Sequence, residues 1–185
     1  MRTPRRRVAS PDRPRPGSAG RLALIGLLTV PLALSGQQPA ACADEKNREF
    51  DFWVGDWDVT VVGTDQHAGT NSIQPILGGC VLLESYETPR GYAGHSYNAY
   101  DGQTGKWHQT WVDNAGLVLK IDGGIVEGNM VLSGPGKASE GNDIINRITW
   151  TPLDDGSVQQ TWDVSSDGGQ TWSTAFDGLY RRRDK

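Results

Sequence analysis

Polar and aromatic side chains alternate along residues 107–113, which have the sequence WHQTWVD. In a β-strand, side chains two residues apart share a face. One face of this segment then holds two indoles, an amide and a carboxylate: Trp107, Trp111, Gln109 and Asp113. Because buried polar groups need partners, this face suits a ligand cavity with polar anchors on an aromatic wall. A core in which these polar groups are fully paired is the alternative.

Further polar residues and indoles in strand-like segments could complete such a cavity. Arg147, in the segment IINRITW, is either a surface charge or a buried anion partner for Glu84 or Asp113. The alternation alone does not tell which face of each strand points inward. The predicted ligand-binding residues are Asn98, Trp107, Gln109, Trp111, Asp113, Arg147, Trp150, Gln160 and Trp162.

Groups that could perform catalysis are few, and the sequence assigns no catalytic residue. Asp113 or Glu84 could act as a base beside a histidine such as His95 or His108. The three histidines lie in separate segments, and there are no paired cysteines, phosphate-binding loop, dinucleotide fingerprint or nucleophile elbow. The sequence therefore predicts no metal site and no cofactor.

Glycine and Asp-Gly turns divide residues 44–185 into short segments rich in β-branched and aromatic residues. This pattern is typical of successive hairpins and predicts an all-β fold, an antiparallel up-and-down barrel of about eight to ten strands. A two-sheet sandwich is the alternative. Turns are expected at Asp122–Gly124 and Gly134–Gly136 among others, and Asp44–Trp53 predicts one short helix that plugs a barrel end. The expected strands are 56–63, 68–77, 80–87, 92–100, 106–113, 117–122, 125–133, 142–151, 157–165 and 171–182.

The segment SSDGGQTW, residues 165–172, matches the pattern Ser-x-Asp-x-Gly-x-Thr-Trp, called an Asp-box. Asp167 is expected to accept backbone hydrogens across a turn, and Gly168 and Gly169 to adopt positive φ. The motif resembles the structural hairpins of sialidases, so it predicts a folding device between the last two strands. Its residues are Ser165, Asp167, Gly169, Thr171 and Trp172.

The net charge of −4 combines two unlike segments. Residues 1–43 hold seven arginines and one acidic residue, a net charge of +6, so residues 44–185 carry −10. A basic start, the apolar run 22–34 and the small residues Ala41-Cys42-Ala43 predict an export signal that is cleaved before Asp44. Residues 44–185 then form one domain. The apolar run is too short to span a bilayer, and the acidic domain argues against nucleic-acid binding.

The two cysteines receive different predictions. Cleavage before Asp44 removes Cys42, so no internal disulfide is expected, and Cys80 is predicted to be a buried apolar side chain. A lipid anchor on Cys42 is the less favoured alternative, because Pro39 stands where a lipoprotein signal has an aliphatic residue.

Several motifs, taken in order, resemble a bacterial family of exported or cytosolic domains of unknown function. The resemblance covers essentially all of residues 44–185 and implies a calycin-type barrel, similar to lipocalins and fatty-acid-binding proteins. Gly55-Asp56-Trp57 is similar to the first-strand motif of lipocalins, which implies that Trp57 packs across the barrel base. The motifs are FDFWVGDWDV (50–59), ILGGCVLLE (76–84), HSYNAYD (95–101), WHQTWVD (107–113), RITWTP (147–152), SSDGGQTW (165–172) and FDGLY (176–180).

The family resemblance implies no reaction, so the functional hypotheses depend on the cavity. The leading hypothesis is an exported, non-enzymatic binding protein for a small apolar or amphipathic molecule. The alternatives are a hydrolase or isomerase with a carboxylate base, and a carbohydrate-binding module with exposed tryptophans. The sequence does not set the oligomeric state.

Overall fold

Ten β-strands form a closed antiparallel barrel in the computed structural model, which describes residues 42–183. Each strand pairs with its neighbours in sequence, and the last strand pairs with the first. This confirms the predicted up-and-down barrel and excludes the sandwich. The strands are β1 (Gly55–Val61), β2 (His67–Ile76), β3 (Val81–Glu87), β4 (Ala93–Asp101), β5 (Lys106–Asp113), β6 (Val118–Val126), β7 (Asn129–Lys137), β8 (Asp143–Pro152), β9 (Val158–Ser165) and β10 (Ser173–Arg182).

Alternation of apolar and polar residues fixes the inward face of each strand. In β1, Trp57 and Val59 are fully buried while Asp58 between them is exposed. In β6, Leu119 and Ile121 are buried on either side of an exposed lysine. Since side chains two apart share a face, every second residue enters the barrel.

Aromatic side chains fill one end of the barrel, which we call the closed end. The ring of Phe50 stacks on Trp53 at 4.9 Å and meets Trp107 and Trp150 edge-on at 5.6 and 5.1 Å. Trp57 is fully buried there and donates its indole N–H to the Trp53 carbonyl at 2.9 Å. Each of these large rings removes a large apolar area from water, which favours packing at this end.

The predicted N-terminal helix is present as two short 3₁₀ helices, Glu45–Arg48 and Asp51–Trp53. Asp44 caps the first by accepting a hydrogen bond from the Asn47 backbone N–H at 3.0 Å. Non-helical backbone at Phe50, with φ −104° and ψ 6°, separates the two helices. Phe50, at this break, and Trp53 are both fully buried at the closed end of the barrel.

Two predicted turns lie inside strands. Gly123 belongs to β6 and Gly134 to β7, and the strands instead connect through Glu127 and Gly128, both at positive φ. A Cβ at Gly123 would collide with the Val131 carbonyl oxygen, so glycine here permits close approach of the two strands. The prediction of turns at Asp122–Gly124 and Gly134–Gly136 is therefore wrong.

A disulfide joins Cys42 to Cys80, 38 residues later in the chain. The prediction of no internal disulfide is therefore wrong, and Cys80 is half-buried and bonded instead of a buried free thiol. The N-terminal segment lies against the turn between β2 and β3, where the Arg48 guanidinium donates to the Gly79 carbonyl. This contact brings two cysteines that are remote in sequence to the same place.

The predicted export signal, residues 1–43, lies outside the described residues except for Cys42 and Ala43. Between residues 42 and 183, no helix has the length and apolar character needed to cross a membrane.

Candidate functional site

A cavity of about 710 Å³ occupies the barrel at the end opposite the N-terminal helices. Its rim includes Val61 and His67 beside the β1–β2 turn, and Arg90 and Tyr92 of the β3–β4 turn. We call this the open end. Because sequential antiparallel strands reverse direction, alternate turns meet at this end, and inward residues from remote parts of the chain converge there.

Six aromatic side chains form the wall of the cavity. The polar atoms of these rings bond to the protein. Tyr92 and Trp111 both donate to Asp113, at 2.7 and 3.3 Å, and the Tyr86 hydroxyl donates to the Ala68 carbonyl at 3.1 Å. Trp162 donates to the side-chain oxygen of Asn146 at 3.0 Å. These rings therefore offer mainly flat apolar surface to the cavity. The six are Tyr86, Tyr92, Trp111, Trp162, Phe176 and Tyr180.

Inward-facing glycines hold three of these rings close to the barrel wall. A Cβ at Gly178 would lie 2.6 Å from the Phe176 ring, and one at Gly69 would lie 2.9 Å from the Tyr86 ring. Real Cβ atoms do not approach so closely, so any larger residue would push the ring into the cavity. The three pairs are Gly69 with Tyr86, Gly94 with Trp111, and Gly178 with Phe176.

A network of buried polar side chains converges on Glu84 in β3. Ser96 donates its hydroxyl to one carboxylate oxygen of Glu84 at 2.6 Å, and Asn71 donates to the other at 2.7 Å. Asn98 donates to the Ser96 oxygen at 2.8 Å, and Gln109 donates to Asn98 at 2.8 Å. The hydrogen bonds therefore all run toward the carboxylate, which is the final acceptor of the network.

Burial dominates the electrostatics of Glu84. The residue is 4% exposed, and desolvation raises the pKa of its carboxyl to about 7, against the opposing effect of the hydrogen bonds from Ser96 and Asn71. None of the ion pairs formed within residues 42–183 includes it. Glu84 is thus a buried carboxyl group in the cavity wall with no cationic side chain beside it.

Two tyrosines near Glu84 remain neutral. Burial, with the nearby Glu84, raises the pKa of Tyr86 to about 12 and that of Tyr180 well above its usual value. The Tyr180 hydroxyl also forms a hydrogen bond with Gln160, and both residues line the cavity. Glu84 is therefore the group on this side of the cavity that changes charge near neutral pH.

The structure places four of the predicted ligand-binding residues in the cavity wall: Gln109, Trp111, Gln160 and Trp162. Asn98 is fully buried in the Glu84 network, behind the wall. Asp113 lies in β5 at the rim, where it accepts hydrogen bonds from Tyr92 and Trp111. Trp107 and Trp150 belong to the aromatic core of the closed end and do not reach the cavity.

Arg147 lies on the outer surface of the barrel. Its neighbours in β8, Asn146 and Ile148, point inward, so alternation turns Arg147 outward. Its guanidinium binds Asp163 at 3.0 Å and stacks on the Trp172 ring at 3.9 Å. The structure therefore gives the surface alternative for Arg147 and no contact with the cavity.

The Asp-box forms the β9–β10 turn at the open end, outside the cavity wall. Asp167 accepts hydrogen bonds from the backbone N–H groups of Gln170 and Thr171, each at 2.9 Å, and from the Thr171 hydroxyl at 2.6 Å. Gly169 has φ 91° and accepts from the Trp172 indole at 3.1 Å. The hydrogen bonds to Asp167 hold the pKa of its carboxyl well below the usual range.

No histidine side chain forms a hydrogen bond or ion pair with the Glu84 carboxylate within residues 42–183. His108 lies on the outer face, where it binds Asp122 and Thr110, each at 2.7 Å. His95 also faces outward, where its ring nitrogen contacts the Ser85 hydroxyl at 3.0 Å and the Glu84 backbone carbonyl at 3.3 Å. No group of three or more His, Cys, Asp or Glu side chains between residues 42 and 183 is arranged to hold a metal ion.

Glu84 and four of the wall aromatics, Tyr86, Tyr92, Phe176 and Tyr180, were outside the set of predicted ligand-binding residues. In β3, Leu82, Glu84 and Tyr86 share the inward face. Alternation in the sequence placed these three residues on one face but did not show that this face points inward.

In comparisons with known proteins, the chain matches no protein-family model and no curated protein sequence. Functional inference therefore depends on the geometry of this cavity.

Proposed function

We propose that the barrel binds a small apolar or amphipathic molecule in the cavity at its open end. The observation that supports this most directly is the cavity itself, because its volume of about 710 Å³ falls in the range of small-molecule sites. Its wall joins aromatic faces to a few polar groups, which is the usual composition of such sites.

The two regions of the cavity suit the two parts of an amphipathic ligand. Trp111, Trp162 and Phe176 offer apolar surface whose release of water favours binding. Glu84 and Gln109, each at least nine-tenths buried, offer polar atoms that can orient the ligand. The glycine pairs add to this because they keep the rings against the wall and leave the interior open.

Carbohydrate binding on an outer tryptophan surface has weaker support. Four indoles, including Trp53 and Trp57, are buried, and the other three are half-buried. Of these three, Trp111 and Trp162 line the cavity, and the Trp172 ring is covered by the Arg147 guanidinium. No pair of indoles in the described barrel offers the exposed flat platform that this function needs.

Proton transfer by Glu84 is a second candidate function. One observation favours it: Glu84 lines the cavity and the pKa of its carboxyl is raised to about 7, which suits a general base at neutral pH. Turnover of ester or enolisable ketone substrates that disappears in Glu84→Gln would support it. Binding of those compounds without turnover would contradict it.

Export of the domain is also part of the proposal, supported by the basic and apolar leader and by the disulfide, a bond typical of oxidising compartments. Cleavage before Asp44 would remove Cys42 from the barrel, so we place the cleavage site before Cys42. A lipid anchor and the disulfide exclude one another because both need the Cys42 sulfur.

We also propose kinship with lipocalin-like proteins, supported by Trp57 at the barrel base.

A ligand-library titration tests the binding function. Binding should change the fluorescence of Trp111 and Trp162 and raise the melting temperature; a ligand at a hundred times its Kd adds about 2.7 kcal/mol of stability. Ala175→Phe narrows the cavity, whereas Ser173→Phe places the same ring nearby but outside the cavity wall. The proposal is supported if Ala175→Phe binds the ligand more weakly and Ser173→Phe does not. A library that changes neither signal contradicts it.

A further inference from the structure

Glu84 is the one carboxylate in the wall of the described cavity, and it lies away from the cations of the rim. Arg90 belongs to the turn beyond the end of β3, and His67 is the first residue of β2, near Asp58 at 3.8 Å. Neither forms an ion pair with Glu84 within residues 42–183. The protein thus buries an acid in its cavity without supplying a countercharge.

Around Glu84, hydrogen-bond acceptor sites outnumber the donors that bind them. A carboxylate can accept about four hydrogen bonds, whereas Glu84 receives one from Ser96 and one from Asn71. The Asn71 side-chain oxygen beside it is buried and has no partner in the described structure. The amide N–H groups of Gln109 are already directed to Asn98 and Ser96. This end of the cavity therefore needs hydrogen-bond donors.

We propose that the polar end of the ligand is a protonated amine that binds the Glu84 carboxylate, while its apolar part lies against the aromatic wall. This inference rests on the proposed binding function and specifies its ligand class. An ammonium group supplies both the missing positive charge and several N–H donors. The nearby Tyr86 and Trp111 ring faces would further favour a cation.

Other head groups fit this end of the cavity less well. A carboxylate ligand would place a second negative charge beside Glu84 in a water-poor site. An alcohol supplies only one donor and leaves the buried charge without compensation. The amine differs from both because it offsets the cost of keeping Glu84 ionised after water has been displaced.

The test compares decylamine, 1-decanol and decanoate, which share one apolar chain, by isothermal titration at about pH 8 and below micelle-forming concentrations. We expect decylamine to bind at least about tenfold more tightly than 1-decanol, the size of one charge-assisted hydrogen bond, and decanoate to bind most weakly. Glu84→Gln should abolish the amine preference, so that decylamine and 1-decanol bind this variant within about twofold of each other. Glu87→Gln, an exposed change on the same strand, should keep the preference.

A pH series on the unmodified protein supplies a second measurement, which does not depend on folding of the variant. Decylamine stays protonated from about pH 8 to about pH 5.5, so its affinity should fall as Glu84 gains a proton, while that of 1-decanol stays constant. The side chains facing Glu84 are Tyr86 on β3, Asn71 on β2, Ser96 and Asn98 on β4, Gln109 on β5 and Tyr180 on β10, none of which ionises in this interval.

The outcomes separate this inference from the proposed function. Equal binding of decylamine and 1-decanol, unchanged by Glu84→Gln and by pH, overturns the amine assignment and leaves the binding function supported. Tightest binding of decanoate also overturns it. If none of the three probes binds and the ligand library is silent as well, both proposals fall.

Discussion

Glu84 is the residue at which burial and charge conflict most strongly. Its carboxyl is 4% exposed and its raised pKa, about 7, shows that desolvation outweighs the hydrogen bonds from Ser96 and Asn71. Such a group costs stability when it ionises, and a fold that only needed packing would be better served by an apolar residue. The natural explanation is a role in the cavity.

The pKa of Glu84 predicts how stability depends on pH. Between pH 4.5 and about 7, the folded protein keeps a proton that the unfolded chain releases, so rising pH lowers the free energy of unfolding through this group. Its full contribution is present below pH 4.5 and is lost as pH rises through about 7. As pH rises from about 5 to about 8, the free energy of unfolding of Glu84→Gln should increase by on the order of 3 kcal/mol relative to that of the natural protein.

Urea denaturation at several pH values measures this difference. Glu87→Gln is the control, since the exposed Glu87 should give a profile parallel to that of the natural protein. Parallel profiles for Glu84→Gln and the natural protein would contradict the prediction.

At the scale of elements, the cavity depends on glycine as much as on the aromatic residues. The Trp111 ring lies over Gly94 on the neighbouring strand, where no Cβ could fit. A glycine inside a strand weakens that strand because it has no side chain to pack. Here the Trp111 ring covers the backbone that Gly94 would otherwise leave exposed. The strands thus provide recesses that hold the rings back from the interior.

Gly94→Ala should therefore displace the Trp111 ring and lower the free energy of unfolding by about 1–3 kcal/mol, the usual cost of overpacking. Near-UV circular dichroism should report the movement of the indole. The matched change Gly102→Ala, in the β4–β5 turn, introduces a Cβ with no atom within 4 Å and should have little effect. An equal loss of stability in both variants would show that the Gly94–Trp111 contact is not the cause.

The β9–β10 hairpin depends on Asp167. This exposed carboxylate accepts backbone hydrogen bonds from Gln170 and Thr171, which lower its pKa. Its contribution to the free energy of unfolding is therefore present above the unfolded pKa, near 3.8, and is lost as pH falls through the folded value. Asp167→Ala should lower the melting temperature at pH 7 and speed amide exchange in the hairpin. Asp154→Ala, in the exposed β8–β9 turn, should not. Unchanged exchange in Asp167→Ala would rule out a folding role for the Asp-box.

At the scale of the whole molecule, the disulfide connects the N-terminal segment to the barrel. It closes a loop of 38 residues, for which loss of unfolded-chain entropy predicts a stabilisation of about 4 kcal/mol. Cys80→Ser should lower the free energy of unfolding by up to that amount. Cys42→Ser and the double variant should match it, because either change removes the same bond.

Denaturant titration with and without reductant measures the loss, and thiol counting on the unfolded exported protein should find no free thiol. A single free thiol, or a mature chain that begins at Asp44, would contradict both the disulfide and cleavage before Cys42.

The sequence by itself determined the barrel class, because period-two alternation and frequent turns are local properties that leave few ways to bury the apolar faces. It predicted strand bounds within a few residues except around Gly123 and Gly134, where the glycines serve close approach of two strands instead of a turn. The connecting turn was hidden because Glu127, a residue type that rarely adopts positive φ, occupies it.

Only the tertiary structure decided which face of each strand points inward and which residues meet. Alternation gives two faces but no direction, so Arg147 and Gln109 were equivalent candidates until closure turned one outward and the other toward Glu84. Cys42 and Cys80 meet because the N-terminal segment folds back over the closed end. These contacts join residues far apart in the chain, so no local pattern could specify them; closure of the barrel brings them together.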